Sequence, residues 1–238
     1  MQTQKNTAAL YRQVRIKDID LTDTSYALHP FPLEPDSELL RSVTRLGMLH
    51  PPLLLEDSGS KFIVLSGRRR LQVVQSLAEQ NNFSSITALI VPYSSNDLHV
   101  FSMLLQHRQI GGKLSIIEQA VFLQKAMEVL KLQEVLDLLP MLGLKAKPHI
   151  PEQLIALLEL DASVQLGLHR GVISQRSGNK LARFSVADQK KLTEIIDLYQ
   201  LTGSKQQKLI DQFFQLTKRQ RVPAKELFEG WCTREKDT

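Results

Sequence analysis

One cysteine, Cys232, stands in a chain of 238 residues, so neither an internal disulfide nor a multi-cysteine zinc site can form from it. Aromatic residues make up only 6% of the sequence, too few for an extended base-stacking platform. No apolar run approaches the roughly 20 residues needed to cross a bilayer. The first ten residues are polar and carry Lys5 where a secretory signal would need an apolar stretch. The expectation is a cytoplasmic protein in a reducing compartment, without membrane contact. Enzyme signatures are also missing: there is no Gly-x-x-x-x-Gly-Lys phosphate loop, no Gly-x-Ser-x-Gly elbow and no His-Glu-x-x-His pair.

What remains is ordinary for a folded chain: 42% hydrophobic and 23% charged residues, enough to bury one large core or two modest ones. Thirty Lys and Arg against 25 Asp and Glu leave a net charge of +5, which permits a polyanionic partner without demanding one.

The pattern divides near Asp97. Before it, short strands alternate with amphipathic helices. Val14 to Ile19 alternates, and Ser37 to Leu46 has Leu39, Leu40, Val43 and Leu46 at helical spacing, closed by Gly47 and Pro51-Pro52. Leu53 to Leu55 and Lys61 to Leu65 flank an acidic Gly turn and read as a hairpin. A helix over Arg68 to Gln80 buries Leu71, Val74 and Leu77, and a strand covers Ile86 to Val91. After Asp97 the pattern is helical, with helices at 98–106, 115–130, 134–142, 151–160, 162–170, 185–201, 205–217 and 224–231. Ser115 and Glu118 form a capping box. Gly143, Pro148, Gly171, Gly178, Gly203 and Pro223 mark the connections. The expected class is α+β: a flexible segment 1–13, an α/β domain 14–97, a helical domain 98–201 and a helical segment 202–238.

Three stretches carry chemistry. In the first, the strand Phe62 to Leu65 runs through Ser66 and Gly67 into a helix that begins with Arg68, Arg69 and Arg70. Helix N-termini favour anions, so three cations at one end ask for a counter-anion, and guanidinium groups match phosphate geometry. Pairing of one arginine with Glu56 or Asp57, with the others solvated, is the alternative.

The second stretch runs from Glu134 to Leu160. A helix ending at Gly143 and a second helix make a candidate helix-turn-helix, but nine residues separate Leu144 from Leu154, and Pro148 and Pro151 fall where the second helix should begin. Its exposed side chains would be Glu152, Gln153 and Ala156, with Leu154, Leu157 and Leu158 as core. Lys145, Lys147 and His149 precede it and can meet phosphates. The third is a basic set that includes Lys180, Lys218, Arg219 and Arg221 and would give salt-sensitive, sequence-indifferent affinity for duplex DNA, with solvated cations capping helix ends as the equal alternative. Phe213, Phe214, Leu227, Phe228 and Trp231 read as a small core or a dimer seam.

The order of these segments resembles the ParB partition-protein family. "SVTRLGMLHPPLLL" at Ser42 to Leu55 and "FIVLSGRRRLQVV" at Phe62 to Val74 match the family's helix, Gly-Leu-x-x-Pro turn, hairpin and "GERR" helix start. "LSIIEQA" at Leu114 to Ala120, "LGL" at Leu142 to Leu144, "LIALLELDASVQ" at Leu154 to Gln165 and "LHRGVIS" at Leu168 to Ser174 continue the match over roughly 14–200. The resemblance implies a nucleotide-binding head holding CTP with magnesium, a helix-turn-helix body binding a centromere-like DNA site, a homodimer, nucleoid association and a ParA-like ATPase partner. "GERR" falls on Gly67, Arg68, Arg69 and Arg70, with Arg68 where the family has Glu. The family's "ENxxR" falls on His107, Arg108 and Gly111, or, shifted, leaves Leu104 and Leu105 at its Glu and Asn positions. Neither register supplies a carboxylate for magnesium.

The resulting expectation is a ParB-like DNA-binding protein, in partitioning or transcriptional regulation. Its nucleotide pocket would comprise Ser66, Gly67, Arg68, Arg69, Arg70, His107 and Arg108, with at most weak CTP hydrolysis. A nucleotide-dependent kinase, CTPase or nuclease on the same fold, and an inactive interaction scaffold, stand as alternatives.

Overall fold

The structure, a computed structural model, describes residues 9–31, 37–59, 61–81 and 84–220; for 79–81 and 219–220 the backbone alone is described. The helix expected at 224–231 lies outside these residues, with Arg221, Leu227, Phe228, Trp231 and Cys232. Contacts divide the chain into two compact units, one within Met1–Leu114 and Phe122–Pro148, the other within Ser115–Val121 and His149–Thr238. The fold class is α+β.

In the first unit, five strands form one sheet among the described residues: β1 (Leu10–Arg15), β2 (Ile19–Asp20), β3 (Leu53–Glu56), β4 (Phe62–Ser66) and β5 (Ser85–Val91), in the order β1-β5-β3-β4-β2. The expected hairpin is there: β3 and β4 pair antiparallel, with Glu56 opposite Phe62, and the Asp57 N–H donates to the Lys61 carbonyl at 2.9 Å. β5 runs parallel to β3 and antiparallel to β1, which places Leu53 opposite Leu89 and Val14 opposite Ile86. The alternating run expected at Val14 to Ile19 is instead split. β1 starts earlier, a 3-10 turn at Ile16–Asp18 interrupts it, and β2 resumes beside β4.

Helix α1 (Ser37–Leu46) and helix α2 (Arg68–Asn81) carry the apolar stripes that cover this sheet. Leu71, Val74 and Leu77 of α2 are buried, with Val14, Leu54, Val64 and Ile90 in the same cluster. Of the four positions read as inward on α1, only Val43 is buried; Leu39 is partly buried, and Leu40 and Leu46 are exposed. Gly47 ends α1 as expected, with a φ of +71° and its N–H on the Val43 carbonyl.

Helix α3 (Asp97–Gln109) buries Val100, Phe101, Leu104 and Leu105. Phe101 stands 5.6 Å from Tyr26 and 5.4 Å from Phe122, in edge-on or tilted arrangements. Helix α4 (Ile116–Val129) begins at the predicted capping box: the Glu118 N–H donates to Ser115 Oγ at 3.2 Å and the Ser115 N–H to Glu118 Oε2 at 2.9 Å. Helix α5 (Leu132–Leu138) passes into a 3-10 turn at Leu139–Leu142 and stops at Gly143, whose φ is +75°.

The second unit is helical: α6 (His149–Ile155), α7 (Ala162–His169), α8 (Gln175–Leu181), α9 (Val186–Leu198) and α10 (Gly203–Gln220). The helix expected from Pro151 starts at His149 and tightens into a 3-10 turn at Ala156–Glu159. α8 was not expected. Gly178, read as a connection, lies inside it because a Cβ there would come within 3.1 Å of Leu168 Cδ1 and Cδ2: the glycine permits close packing of α8 on α7. Two buried glutamines stitch this unit together. Gln189 accepts from the Asp161 N–H at 2.8 Å and donates to the Phe184 carbonyl, and Gln206 bridges Val172, Ser174 and Leu201. No helix among the described residues is long and apolar enough to cross a membrane.

Candidate anion site at the Gly67 turn

β4 delivers Ser66, buried at its end, into Gly67, whose φ of +97° is a conformation that side chains with a Cβ rarely adopt. Space forbids a side chain there as well. A Cβ on Gly67 would lie 3.0 Å from Pro52 Cβ and 3.2 Å from Arg70 Nη2. The glycine therefore lets two segments close on each other: the Pro51-Pro52 turn before β3 and the first turn of α2.

The three arginines do not converge as expected. Arg68 turns away and donates to the backbone carbonyls of Leu21 and Asp23, beyond β2. There Asp20 caps the turn, accepting from the Thr22 N–H at 2.8 Å, from Thr22 Oγ1 at 2.6 Å and from the Asp23 N–H at 3.2 Å. These bonds hold the Asp20 carboxyl below its ordinary pKa. Arg68 is thus a fastening between α2 and the β2 turn, and neither Glu56 nor Asp57 is the group it bonds. Glu56 accepts from Arg12 at 2.9 Å across the sheet. Arg69 is exposed.

Arg70 does turn to the site. It donates to the His50 carbonyl, and burial followed by the nearby charge of Arg108 lowers its pKa. From the last turn of α3, His107 Nε2 meets the Pro51 carbonyl at 3.2 Å. Burial lowers the His107 pKa; the Pro51 bond opposes this, and the charges of Arg70, Arg108 and His50 add to it. Arg70, His107, Arg108 and His50 thus form one basic cluster, with no carboxylate among the charges acting on Arg70 or His107. Sequence alone did not point to His50. Its only signal was its place before Pro51-Pro52, because the bond that ties this turn to α3 joins residues 56 positions apart.

This donor set does not suit magnesium, which takes oxygen ligands and usually a carboxylate. Among the described residues no group of three or more His, Cys, Asp and Glu is arranged to hold a metal ion.

The residues expected to meet DNA lie elsewhere. Lys145 and Lys147 are exposed between Gly143 and α6, and His149 is exposed at the start of α6. Along α6, Glu152 and Gln153 face solvent, as does Ala156 just beyond it, while Pro151, Leu154 and Leu157 are buried. Lys180 is held in an ion pair with Asp211. Lys218 stands over the Phe214 ring at 4.7 Å, and Arg183 lies 5.6 Å from the same ring. Phe213 is core. The Arg219 side chain and Arg221 are outside the described residues.

No family model matches the chain. A curated relative, the probable chromosome-partitioning protein ParB of Campylobacter jejuni, is 28% identical over 166 residues, which are 70% of this chain and 56% of that protein. The chain thus spans little more than half the length of the curated relative it matches. Among solved structures, a Pnob8-like ParB-N domain aligns with a TM-score of 0.55 at 12% identity, covering 89% of this chain and 97% of that one. The C-terminally truncated ParB of Caulobacter crescentus complexed to the centromeric parS site aligns at 0.43 and 17% identity, covering 84% and 99%. The same protein complexed with CTP-gamma-S aligns at 0.34 and 19%, covering 76% and 98%. The chain is thus similar in sequence to a probable ParB protein over 70% of its length and shares the fold of a ParB-N domain.

Proposed function

We propose that the first unit holds the phosphates of a nucleotide, with CTP as the first candidate, and that the chain binds duplex DNA in a partitioning or regulatory role. The observation that carries the first part is the gathering of Arg70, His107, Arg108 and His50 at the Gly67 turn without a compensating carboxylate among the charges that act on Arg70 or His107. Such a cluster in a half-buried place is stabilised by an anion, and the N-terminus of α2 adds its own partial positive charge. Because these groups do not suit magnesium, the phosphates are held by direct charge, and the reading is one of binding rather than turnover.

Calorimetric titration with CTP, ATP and GTP, with and without magnesium, tests this reading. Arg70→Ala is expected to weaken CTP binding about tenfold or more, as loss of a charge-assisted phosphate bond does. Arg68→Ala is expected to lower the unfolding midpoint while leaving affinity nearly unchanged, because Arg68 fastens the β2 turn. Equal loss of binding in both variants sinks the assignment.

DNA contact rests on Lys145 and Lys147, exposed on the segment before α6. The short exposed face of α6 is poor in cations, so backbone contact outweighs base readout. Lys145→Ala with Lys147→Ala is expected to weaken duplex binding several-fold and to reduce the salt slope by about two, one for each phosphate no longer neutralised. An unchanged slope in a fluorescence anisotropy titration rules these lysines out. A cytoplasmic, nucleoid-associated homodimer served by a ParA-like ATPase is the setting this reading implies.

A further inference from the structure

We infer that His107 couples anion binding at the Gly67 turn to the uptake of one proton at its Nδ1. This inference rests on the anion-site reading and adds a rule for when the site is charged to receive its ligand.

The geometry begins with the tautomer. His107 Nε2 lies 3.2 Å from the Pro51 carbonyl, which can only accept, so Nε2 carries the hydrogen and donates it. In the neutral ring that leaves a lone pair on Nδ1, and this atom is buried without a hydrogen-bond partner. The charged groups that act on the ring are Arg70 from α2, Arg108 from α3 itself and His50 from the turn before β3. Burial and these three neighbours disfavour the imidazolium while the site is empty, despite the opposing pull of the Pro51 carbonyl.

A phosphate or sulfate group among these cations reverses the balance. The field at the ring becomes favourable for a positive charge, a proton moves from solvent onto Nδ1, and Nδ1–H becomes a charge-assisted donor. No covalent bond in the protein's heavy-atom skeleton changes, and the Nε2 bond to Pro51 is kept throughout. The sign follows from linkage. The bound form holds more protons than the empty one, so affinity rises as pH falls through the His107 pKa of the complex and levels off below that of the empty site. A cytoplasmic acid shift would therefore load the site.

The probe is inorganic sulfate, which stays a dianion across the range tested, followed by CTP. Imidazole signals of the whole protein are followed by NMR from about pH 4.5 to about pH 8, a window that reaches below the ordinary histidine range, with His107→Gln used to assign the resonance. Saturating sulfate is expected to raise the His107 midpoint by about one unit or more. Sulfate affinity is expected to weaken as pH rises, toward the limit of about tenfold per pH unit set by one proton. His107→Gln, whose amide can still donate to Pro51, is expected to bind sulfate without that slope. Equal sulfate affinity at both pH extremes, an unmoved midpoint in the wild-type protein, or a slope that survives in His107→Gln overturns the proton coupling and leaves the anion site standing. Failure of both sulfate and CTP to bind at any pH overturns the anion site along with it.

Discussion

Gly67→Ala is expected to destabilise the first unit by about 3 kcal/mol and to abolish anion binding, since backbone strain and overpacking add at this position. A non-glycine residue at a φ of +97° carries backbone strain of about 1–3 kcal/mol. The new Cβ would also press on Pro52 at 3.0 Å to its Cβ and 3.2 Å to its Cα. Overpacking of this kind typically adds about 1–3 kcal/mol when the neighbour cannot give way. Pro52 has little room to do so: it is buried, and its carbonyl accepts the Leu89 N–H of β5 at 2.9 Å. Relief would come by moving the Pro51-Pro52 turn off α2, and that turn supplies the carbonyl that orients His107 and follows the one that holds Arg70. Urea unfolding read by amide exchange in β3 and β4, together with sulfate titration, checks both parts. A variant that unfolds at the wild-type urea concentration and still binds sulfate shows that Gly67 does not shape the site.

The second large effect belongs to the helical unit, where Gln206→Leu is expected to cost about 3 kcal/mol through stranded backbone groups. Gln206 is 2% exposed and makes three bonds: its Oε1 accepts from the Ser174 N–H at 3.2 Å, and its Nε2 donates to the carbonyls of Val172 at 2.6 Å and Leu201 at 2.8 Å. Leucine fills the same volume but strands one N–H and two carbonyls, each costing about 1–3 kcal/mol where water cannot reach it. Ser174 is also the N-cap of α8, accepting from the Ser177 N–H at 3.2 Å, so the loss should spread along that helix. Amide exchange in α8 should accelerate by about a hundredfold, the equivalent of roughly 3 kcal/mol. Lys180→Ala, which breaks only the partly exposed pair with Asp211, should change exchange little. If the two variants behave alike, the glutamine is not what holds this unit together.

Much of the scaffold was legible without coordinates because it is written in local rules. The bounds of α1, the β3–β4 hairpin, the strand-to-helix step at Gly67 and the Ser115–Glu118 capping box each follow from residues within a few positions of one another. The unexpected α8 has the opposite origin. A glycine in the middle of a seven-residue helix argues against helix locally, and only the approach of Leu168 explains why it is tolerated.

The candidate site divides along the same line. By itself the sequence determined that Gly67 ends a buried strand and that three cations open the following helix, because strand period, glycine punctuation and helix spacing are properties of neighbouring residues. Only the tertiary structure decided which of those cations face one another. Arg68 was drawn off by two backbone carbonyls beyond β2, and His50 was brought in by a turn that packs beside α3. The direction of a long flexible side chain is set by the partners within its reach, and those partners come from segments that the chain brings together only when the sheet closes.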